Sequence, residues 1–330
     1  MPRRFSIPVP RDFVLSRDYC SYGYFLLWPN HWEAEAQVVT RALDLAGGPA
    51  VVRFAQPSEQ ARGRRTRAGL PLGVEANRTL DRQEAAEATA RIARMVRLDE
   101  DAEQIRGFHK VDPRYRKIGR GRLMRSPSFF EDVIKTVTSC NVQWPSTVVM
   151  NRRLCEVVGR RAADAGPVTH TFPTAERLAR TKPGTLRARC RVGYRDARIV
   201  ELARLFAGRE GAARAAWMED SATSDDALWG ALLDLPGIGP YAAANIMQLL
   251  GRYHRLPLDT ESLRHARSVL GWKGKDRALM ARLHKHYAPF GTHAFRSYWF
   301  EVWDFYESKH GPSWTWQRDT TGTQFTASKL

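Results

Sequence analysis

The sequence predicts an α+β fold, an N-terminal antiparallel β-sheet domain followed by a mostly α-helical, two-lobed core. Three observations carry this. An alternating apolar segment folds back early in the chain at Gly47-Gly48. From Asp101 onward, segments with helical periodicity follow one another. Two of those later segments are joined by a breaker cluster, Pro236-Gly237-Ile238-Gly239, which forces a tight turn.

Val39, Arg41, Leu43 and Leu45 alternate before the glycine pair, and Val51-Val52-Arg53-Phe54 is a strand-like run after it. A Gly-Gly pair between two such arms signals a hairpin. The polar, basic stretch 57–68 reads as an exposed loop, and the Ala- and Glu-rich stretch 84–96 as a helix. Ser128, three residues before Glu131, predicts a capping box that opens a helix running to about Ser139. Cys140-Asn141-Val142-Gln143-Trp144-Pro145 interrupts it, and the next helix is expected over 146–158. Further helices fit 174–180, 195–207, 225–233, 260–270, 276–287 and 295–308, and the polar tail from Gly311 is expected to fray. Three units follow. Residues 1–103 form the N-terminal domain, 126–258 a helical domain with the hairpin at about 225–250, and 104–125 plus 259–330 a second helical lobe.

Hydrophobic residues make up 43% of the chain, enough for a substantial core. No run of about 18 apolar residues exists, so no membrane span is expected. The opening Met-Pro-Arg-Arg-Phe-Ser lacks the apolar stretch of a secretory signal, so the expected location is cytoplasmic, at a bacterial nucleoid. Cys20, Cys140, Cys155 and Cys190 are far apart, which signals neither a disulfide framework nor a zinc or iron–sulfur site. The net charge of +17 points to a polyanionic partner. An Arg excess from a GC-rich genome would give the same charge, but the turn at 236–239 favours double-stranded DNA, bound by a monomer.

That turn lies in Leu232-Leu233-Asp234-Leu235-Pro236-Gly237-Ile238-Gly239-Pro240-Tyr241, followed by Leu256-Pro257-Leu258-Asp259. Leu-Pro-Gly-Ile-Gly is a helix-hairpin-helix signature. With Asp259 beyond the second helix, the stretch resembles the helix-hairpin-helix/Gly-Pro-Asp superfamily of base-excision DNA glycosylases. Asp112-Pro113-Arg114-Tyr115, Cys140-Asn141, Arg153-Leu154-Cys155 and Val192-Gly193-Tyr194-Arg195 look like the eukaryotic-type 8-oxoguanine DNA glycosylases. The sheet-then-helices plan also resembles bacterial 3-methyladenine glycosylase II. The likeness covers roughly residues 10 to 305.

The resemblance implies a glycosylase, and its departures shape the expectation. Bifunctional members carry a Lys at the second position after the second hairpin Gly, where this chain has Tyr241. An amine there attacks the sugar carbon and forms a Schiff base; a Tyr forms none, so a monofunctional enzyme is implied. The substrate-contacting Cys of the 8-oxoguanine enzymes matches Asn245. One of their cytosine-reading Arg residues matches Ser146, while Arg195 keeps the second.

Breaking an N-glycosidic bond develops positive charge on the deoxyribose, which a fixed carboxylate stabilises. Asp259 is the candidate catalytic residue. Asp before Thr260-Glu261-Ser262 is also an ordinary N-cap, and capping would fix the carboxylate in place. The target nucleotide must be flipped into a pocket, for which Tyr241, Asn245, Trp144, Trp299 and Tyr298 are the candidates; Trp303 reads as core. Asn141 matches the residue that plugs the vacated duplex, with Val142 and Gln143 as alternatives, and Arg195 would face the opposite base. Gly237, Gly239 and Tyr241 would hold a DNA phosphate. The carbonyls of Leu233, Leu235 and Ile238 would bind Na+ or K+, as the hairpin does in relatives; no other cofactor is required. His284, His286 and His293 lack ligand spacing for a metal.

The leading function is removal of a damaged base, by default an oxidised or alkylated purine, leaving an abasic site. Excision of a modified cytosine, including a hypermodified phage base in antiviral defence, keeps the chemistry and changes the target. A non-catalytic DNA-binding module would keep the hairpin but has no need of Asp259. An AP lyase needs a nucleophilic Lys near the hairpin, and residues 232–258 contain none.

Overall fold

The computed structural model describes residues 3–57, 69–164 and 166–321. Five strands, β1 (Arg4–Ile7), β2 (Asn30–Glu33), β3 (Val38–Leu45), β4 (Gly48–Ala55) and β5 (Leu72–Ala76), form one antiparallel sheet in the order β1-β5-β4-β3-β2. The hairpin expected at the glycine pair is β3–β4, in register from Val38↔Ala55 to Leu45↔Gly48. Gly48 has φ +121°. A Cβ on Gly47 would come within 2.5 Å of the Glu84 carboxylate. Gly48 therefore needs glycine, and a side chain at Gly47 would push the Glu84 carboxylate aside. Val39, Leu43 and Leu45 are buried as their alternation requires. Arg41 shares their face, and its burial is offset by an ion pair to Glu131 at 2.6 Å.

Short helix α1 (Leu15–Tyr19) precedes the sheet's longer strands, and α2 (Arg82–Met95) and α3 (Ala102–Val111) follow β5. Both later helices open with full capping boxes, Asp81 with Glu84 and Asp101 with Gln104. The helical body continues through α4 (Phe129–Ser139), α5 (Trp144–Val158), α6 (Ala175–Ala179), α7 (Pro183–Thr185), α8 (Asp196–Phe206), α9 (Gly208–Glu219) and α10 (Asp225–Leu233). Beyond the hairpin lie α11 (Pro240–Leu249), α12 (Thr260–Ser268), α13 (Asp276–Tyr287) and α14 (Ala294–His310).

Two hydrophobic cores hold these elements. One joins the sheet, α1 and α2 to α12, α13 and α14, through residues such as Phe54, Tyr115, Tyr287 and Phe300. The other packs α4 through α11, through residues such as Ile134, Leu154, Ile199 and Ile246. The chain crosses from the second core back to the first just after α11.

Several expectations are corrected. Ser128 caps α4 by accepting from the Glu131 amide at 3.4 Å, but the box is not closed. The Glu131 side chain turns inward to Arg41 and Lys135 instead, because two buried cations need a counter-charge more than the helix end needs a second cap. Helix α5 starts at Trp144, two residues early, because Pro145 fits a first turn. The tail through residue 321 is docked: Trp316 is 1% exposed and its indole donates to the Gly311 carbonyl at 2.8 Å. Most of the expected loop at 57–68, and the chain after residue 321, lie outside the described residues.

Candidate active site

The hairpin is built as its residues demand. The Leu235 amide donates to Leu232 O at 3.2 Å and the Ile238 amide to Leu235 O at 3.1 Å, closing the turn. Gly237 takes φ +75°, and a Cβ there would come within 2.6 Å of the Arg198 side chain. Gly239 is the N-cap of α11 and brings no side chain to its first amides, while Pro240 fills the first turn. Gly237 and Gly239 are exposed, so this helix end faces solvent. The Leu235 carbonyl, expected among the cation ligands, accepts the Ile238 amide within the turn. Among the described residues, no group of three or more His, Cys, Asp or Glu side chains could hold a metal ion.

Where the two cores meet lies a cavity of about 320 Å³. Its walls and rim come from five places in the chain. Helix α11 contributes Tyr241 and Asn245, and the start of α5 with the turn before it contributes Val142, Gln143, Trp144 and Thr147. The segment after α1 contributes Tyr22, Gly23 and Tyr24. Helix α14 contributes Phe295, Tyr298, Trp299, Trp303 and Tyr306, a stripe whose 3- and 4-residue steps hold it on one face. Pro257, Asp259, Thr260 and Glu261 complete the rim.

Asp259 is the N-cap of α12. Its Oδ1 accepts from the amides of Glu261 at 3.0 Å and Ser262 at 3.2 Å, and from the Ser262 hydroxyl at 3.3 Å. The cap and the cavity-facing carboxylate are thus one feature. Burial raises its pKa above the ordinary Asp range and nearby Glu261 adds to this; the Ser262 and Glu261 amides and Tyr241 oppose it.

The floor is a closed polar network. Tyr22 donates to Asn245 Oδ1 at 2.7 Å, and Asn245 Nδ2 donates to Thr136 Oγ1 at 3.0 Å and to Tyr24 at 3.4 Å. Tyr24 meets the same Thr136 hydroxyl at 3.0 Å. Asn245 therefore touches the cavity with its amide already engaged. The aromatics brace one another: Tyr22 lies 4.8 Å from Trp299, and Phe295 stacks on Trp299 at 5.9 Å. The Trp299 indole donates to Ser21 O at 2.8 Å. Trp144 packs against Gly23, where an added Cβ would come within 3.1 Å of its ring. Trp303, read as core, is 2% exposed and also lines the cavity.

The expected plugging and opposite-base residues separate. Asn141 is exposed, holds φ +54°, and its amide lies 3.4 Å from the Tyr194 hydroxyl, while Val142 and Gln143 turn to the cavity. Arg195 is 5% exposed, and its guanidinium donates to the carbonyls of Val137 and Val192, at 3.1 and 3.3 Å, and of Cys140. It braces the end of α4 and the turn that presents Asn141. The exposed side chain beside Asn141 is Tyr194, which carries Arg198 at 5.7 Å over its ring.

Sequence reasoning missed Tyr22, Tyr24, Thr136, Phe295 and Tyr306. The α14 stripe was available from spacing alone. Tyr22 and Tyr24 carry no local signal, since only the packing of a distant segment brings them to α11.

No protein-family model matches the chain. Two solved structures align over nearly its whole length. The 3-methyladenine DNA glycosylase from Archaeoglobus fulgidus has a TM-score of 0.63 at 18% identity, covering 93% of this chain and 98% of that one. MBOgg1, solved with a low-affinity DNA ligand, has a TM-score of 0.65 at 17% identity, covering 92% and 97%. The chain has the fold of these two structures. A third member of this fold, the Clostridium acetobutylicum 8-oxoguanine glycosylase/lyase bound to duplex DNA, has a TM-score of 0.61 at 17% identity over 91% of this chain and 93% of that one. In sequence, the chain is 30% identical over 219 residues to the probable bifunctional transcriptional activator/DNA repair enzyme AlkA of Mycobacterium tuberculosis. That match takes in 64% of this chain but 42% of the relative, so the chain spans less than half of the curated protein it resembles. Among the described residues, no helix of this fold is long and apolar enough to cross a membrane.

Proposed function

We propose that this protein is a monofunctional DNA glycosylase that flips a damaged base from duplex DNA and hydrolyses its N-glycosidic bond. The observation that carries the reading is Asp259, capping α12 on the rim of an aromatic cavity directly after the hairpin. The C1′–N bond breaks with its electron pair leaving on the base, which neutralises a cationic N-alkylated purine, and water supplies the hydroxyl that C1′ gains while its proton passes to solvent. The carboxylate stabilises the positive sugar between those events.

The cavity supports an N-alkylated, positively charged purine as substrate. Among the described residues its lining contains no Lys, Arg or His, two carboxylates and nine aromatic side chains (Tyr22, Tyr24, Trp144, Tyr241, Phe295, Tyr298, Trp299, Trp303 and Tyr306). Electron-rich ring faces attract a cationic base. The floor amide and hydroxyls are spent on one another, which leaves little with which to read a neutral base by hydrogen bonds. The monofunctional reading is supported by Tyr241 at the hairpin position where a lyase carries Lys. The buried Lys135 nearest the floor is paired with Glu131 at 2.7 Å, and burial lowers its pKa.

The test is mass spectrometry of free bases released from alkylated, oxidised and modified-cytosine DNA. Release of alkylated purines is expected, with no loss of strand continuity until the abasic site is cut chemically. Borohydride is expected to trap no covalent enzyme–DNA adduct; a trapped adduct ends the monofunctional reading. Affinity for duplex DNA should fall steeply with added salt through counterion release, and a flat salt dependence would contradict a phosphate-binding hairpin.

A further inference from the structure

We propose that Tyr298 and Ser262 form a directional hydrogen-bond relay that orients the Asp259 carboxylate, a positioning role that rests on the glycosylase reading. The Tyr298 hydroxyl lies 2.7 Å from Ser262 Oγ, which lies 3.3 Å from Asp259 Oδ1 and accepts the Asp259 amide at 3.0 Å. Both side chains are sealed from solvent, Ser262 at 0% and Tyr298 at 3% exposure.

The direction follows from counting donors. A serine hydroxyl offers one proton and two lone pairs. The Asp259 amide takes one lone pair of Ser262. Among the described residues the Tyr298 hydroxyl has one hydrogen-bond partner, Ser262 Oγ, so both buried protons are satisfied only if Tyr298 donates to the second lone pair. The one proton of Ser262 is then left for Asp259 Oδ1. Two hydroxyls thus point in series at the carboxylate, and donation to it favours its ionised form.

The relay is rigid because the Tyr298 ring is. Tyr287 at 5.4 Å and His265 at 5.8 Å meet it edge-on, and Phe295 lies 6.2 Å away. Tyr298, expected from the sequence as a base contact, lines the cavity but commits its hydroxyl to Ser262. The other groups that face Asp259 are Tyr241 on α11, Glu261 on α12 itself, Tyr306 on α14, Tyr22, and Cys140 at the end of α4. Of the neighbours on other elements, Tyr298 is the one that reaches the carboxylate through α12.

The test uses Ser262→Ala, Tyr298→Phe and their combination, with Ser262→Thr as the variant that keeps the hydroxyl. Carbon-13 NMR follows the Asp259 carboxyl through a pH titration of the DNA-free protein, its signal assigned by its absence in Asp259→Asn. In parallel, single-turnover base release from methylated duplex is measured across pH. Removing either donor is expected to move the Asp259 titration and the acid limb of base release to higher pH. It should also slow release at neutral pH about tenfold. Binding to an abasic-site duplex should stay within about twofold. The double variant should match Ser262→Ala, and Ser262→Thr should restore wild-type behaviour. An unmoved Asp259 titration in both single variants overturns the relay, as does a Tyr298→Phe loss that adds fully to that of Ser262→Ala. If the titration moves as expected but wild type releases no base, the relay stands and the glycosylase reading fails.

Discussion

Asp259→Asn is expected to slow base release by about a hundredfold or more while leaving duplex binding nearly intact. The amide keeps the cap, because Asn accepts from the Glu261 and Ser262 amides as Asp does. It loses the charge that the developing sugar cation needs. Stability should move the other way. The folded-state pKa of Asp259 is raised, chiefly by burial, so its contribution favours folding below the unfolded pKa and is lost as pH rises through the folded pKa. At neutral pH the wild type therefore carries the cost of a buried carboxylate, and the variant should melt no lower than wild type. In acid, where Asp259 is protonated in both states, that advantage should disappear. Calorimetry at two pH values beside single-turnover kinetics checks both halves. Unchanged base release in this cap-preserving variant would mean that Asp259 serves only as a cap.

Glu100→Ala should cause the largest loss of stability, about 3–5 kcal/mol. Glu100 is 5% exposed and ties three parts of the chain together. It accepts from Arg97 just after α2, from the Tyr253 hydroxyl at 2.7 Å beyond the hairpin, and from Arg296 on α14. Removing it leaves buried Arg296 without its counter-charge and buried Arg97 with only the more distant Asp99, at 3.7 Å. Burial alone would raise the Glu100 pKa, but Arg296, Arg97 and Tyr253 outweigh it and bring it down to about 2. A depressed carboxylate pKa contributes stability above the unfolded value, lost as pH falls through the folded one. Between about pH 4.5 and pH 2 the wild type should therefore lose about 3 kcal/mol through this group, and Glu100→Gln should flatten that part of the stability curve. Urea denaturation across the acid range is the measurement, and an unchanged slope in the variant would remove Glu100 from the account of acid lability.

How much of this was legible depended on whether a feature is local. The β3–β4 hairpin was visible because alternation and the glycine pair are adjacent in sequence. The bounds of α10 and α13 were visible because periodicity and breakers lie within one window. The turn at 236–239 was visible for the same reason, and so was Asp259, whose cap and whose place on the cavity rim are one geometry. Strands β1, β2 and β5 were not singled out, since short runs such as Arg4–Ile7 become strands only when a neighbour supplies the ladder.

The site divides along the same line. Trp144, Tyr241 and Trp299 could be named because each sits on a segment with its own signal, and the cavity gathers them. Glu131 looked like half of a capping box until tertiary burial of Arg41 and Lys135 claimed its charge. Arg195 looked like a surface reader until three carbonyls claimed its guanidinium. The sequence by itself determined the hairpin, the position of the carboxylate beyond it and the layout of sheet before helices, because these follow from local backbone preference and periodicity. Only the tertiary structure decided which polar groups are spent on one another. Tyr22 and Asn245 are 223 residues apart, and no local rule connects two side chains that only the folded core brings together.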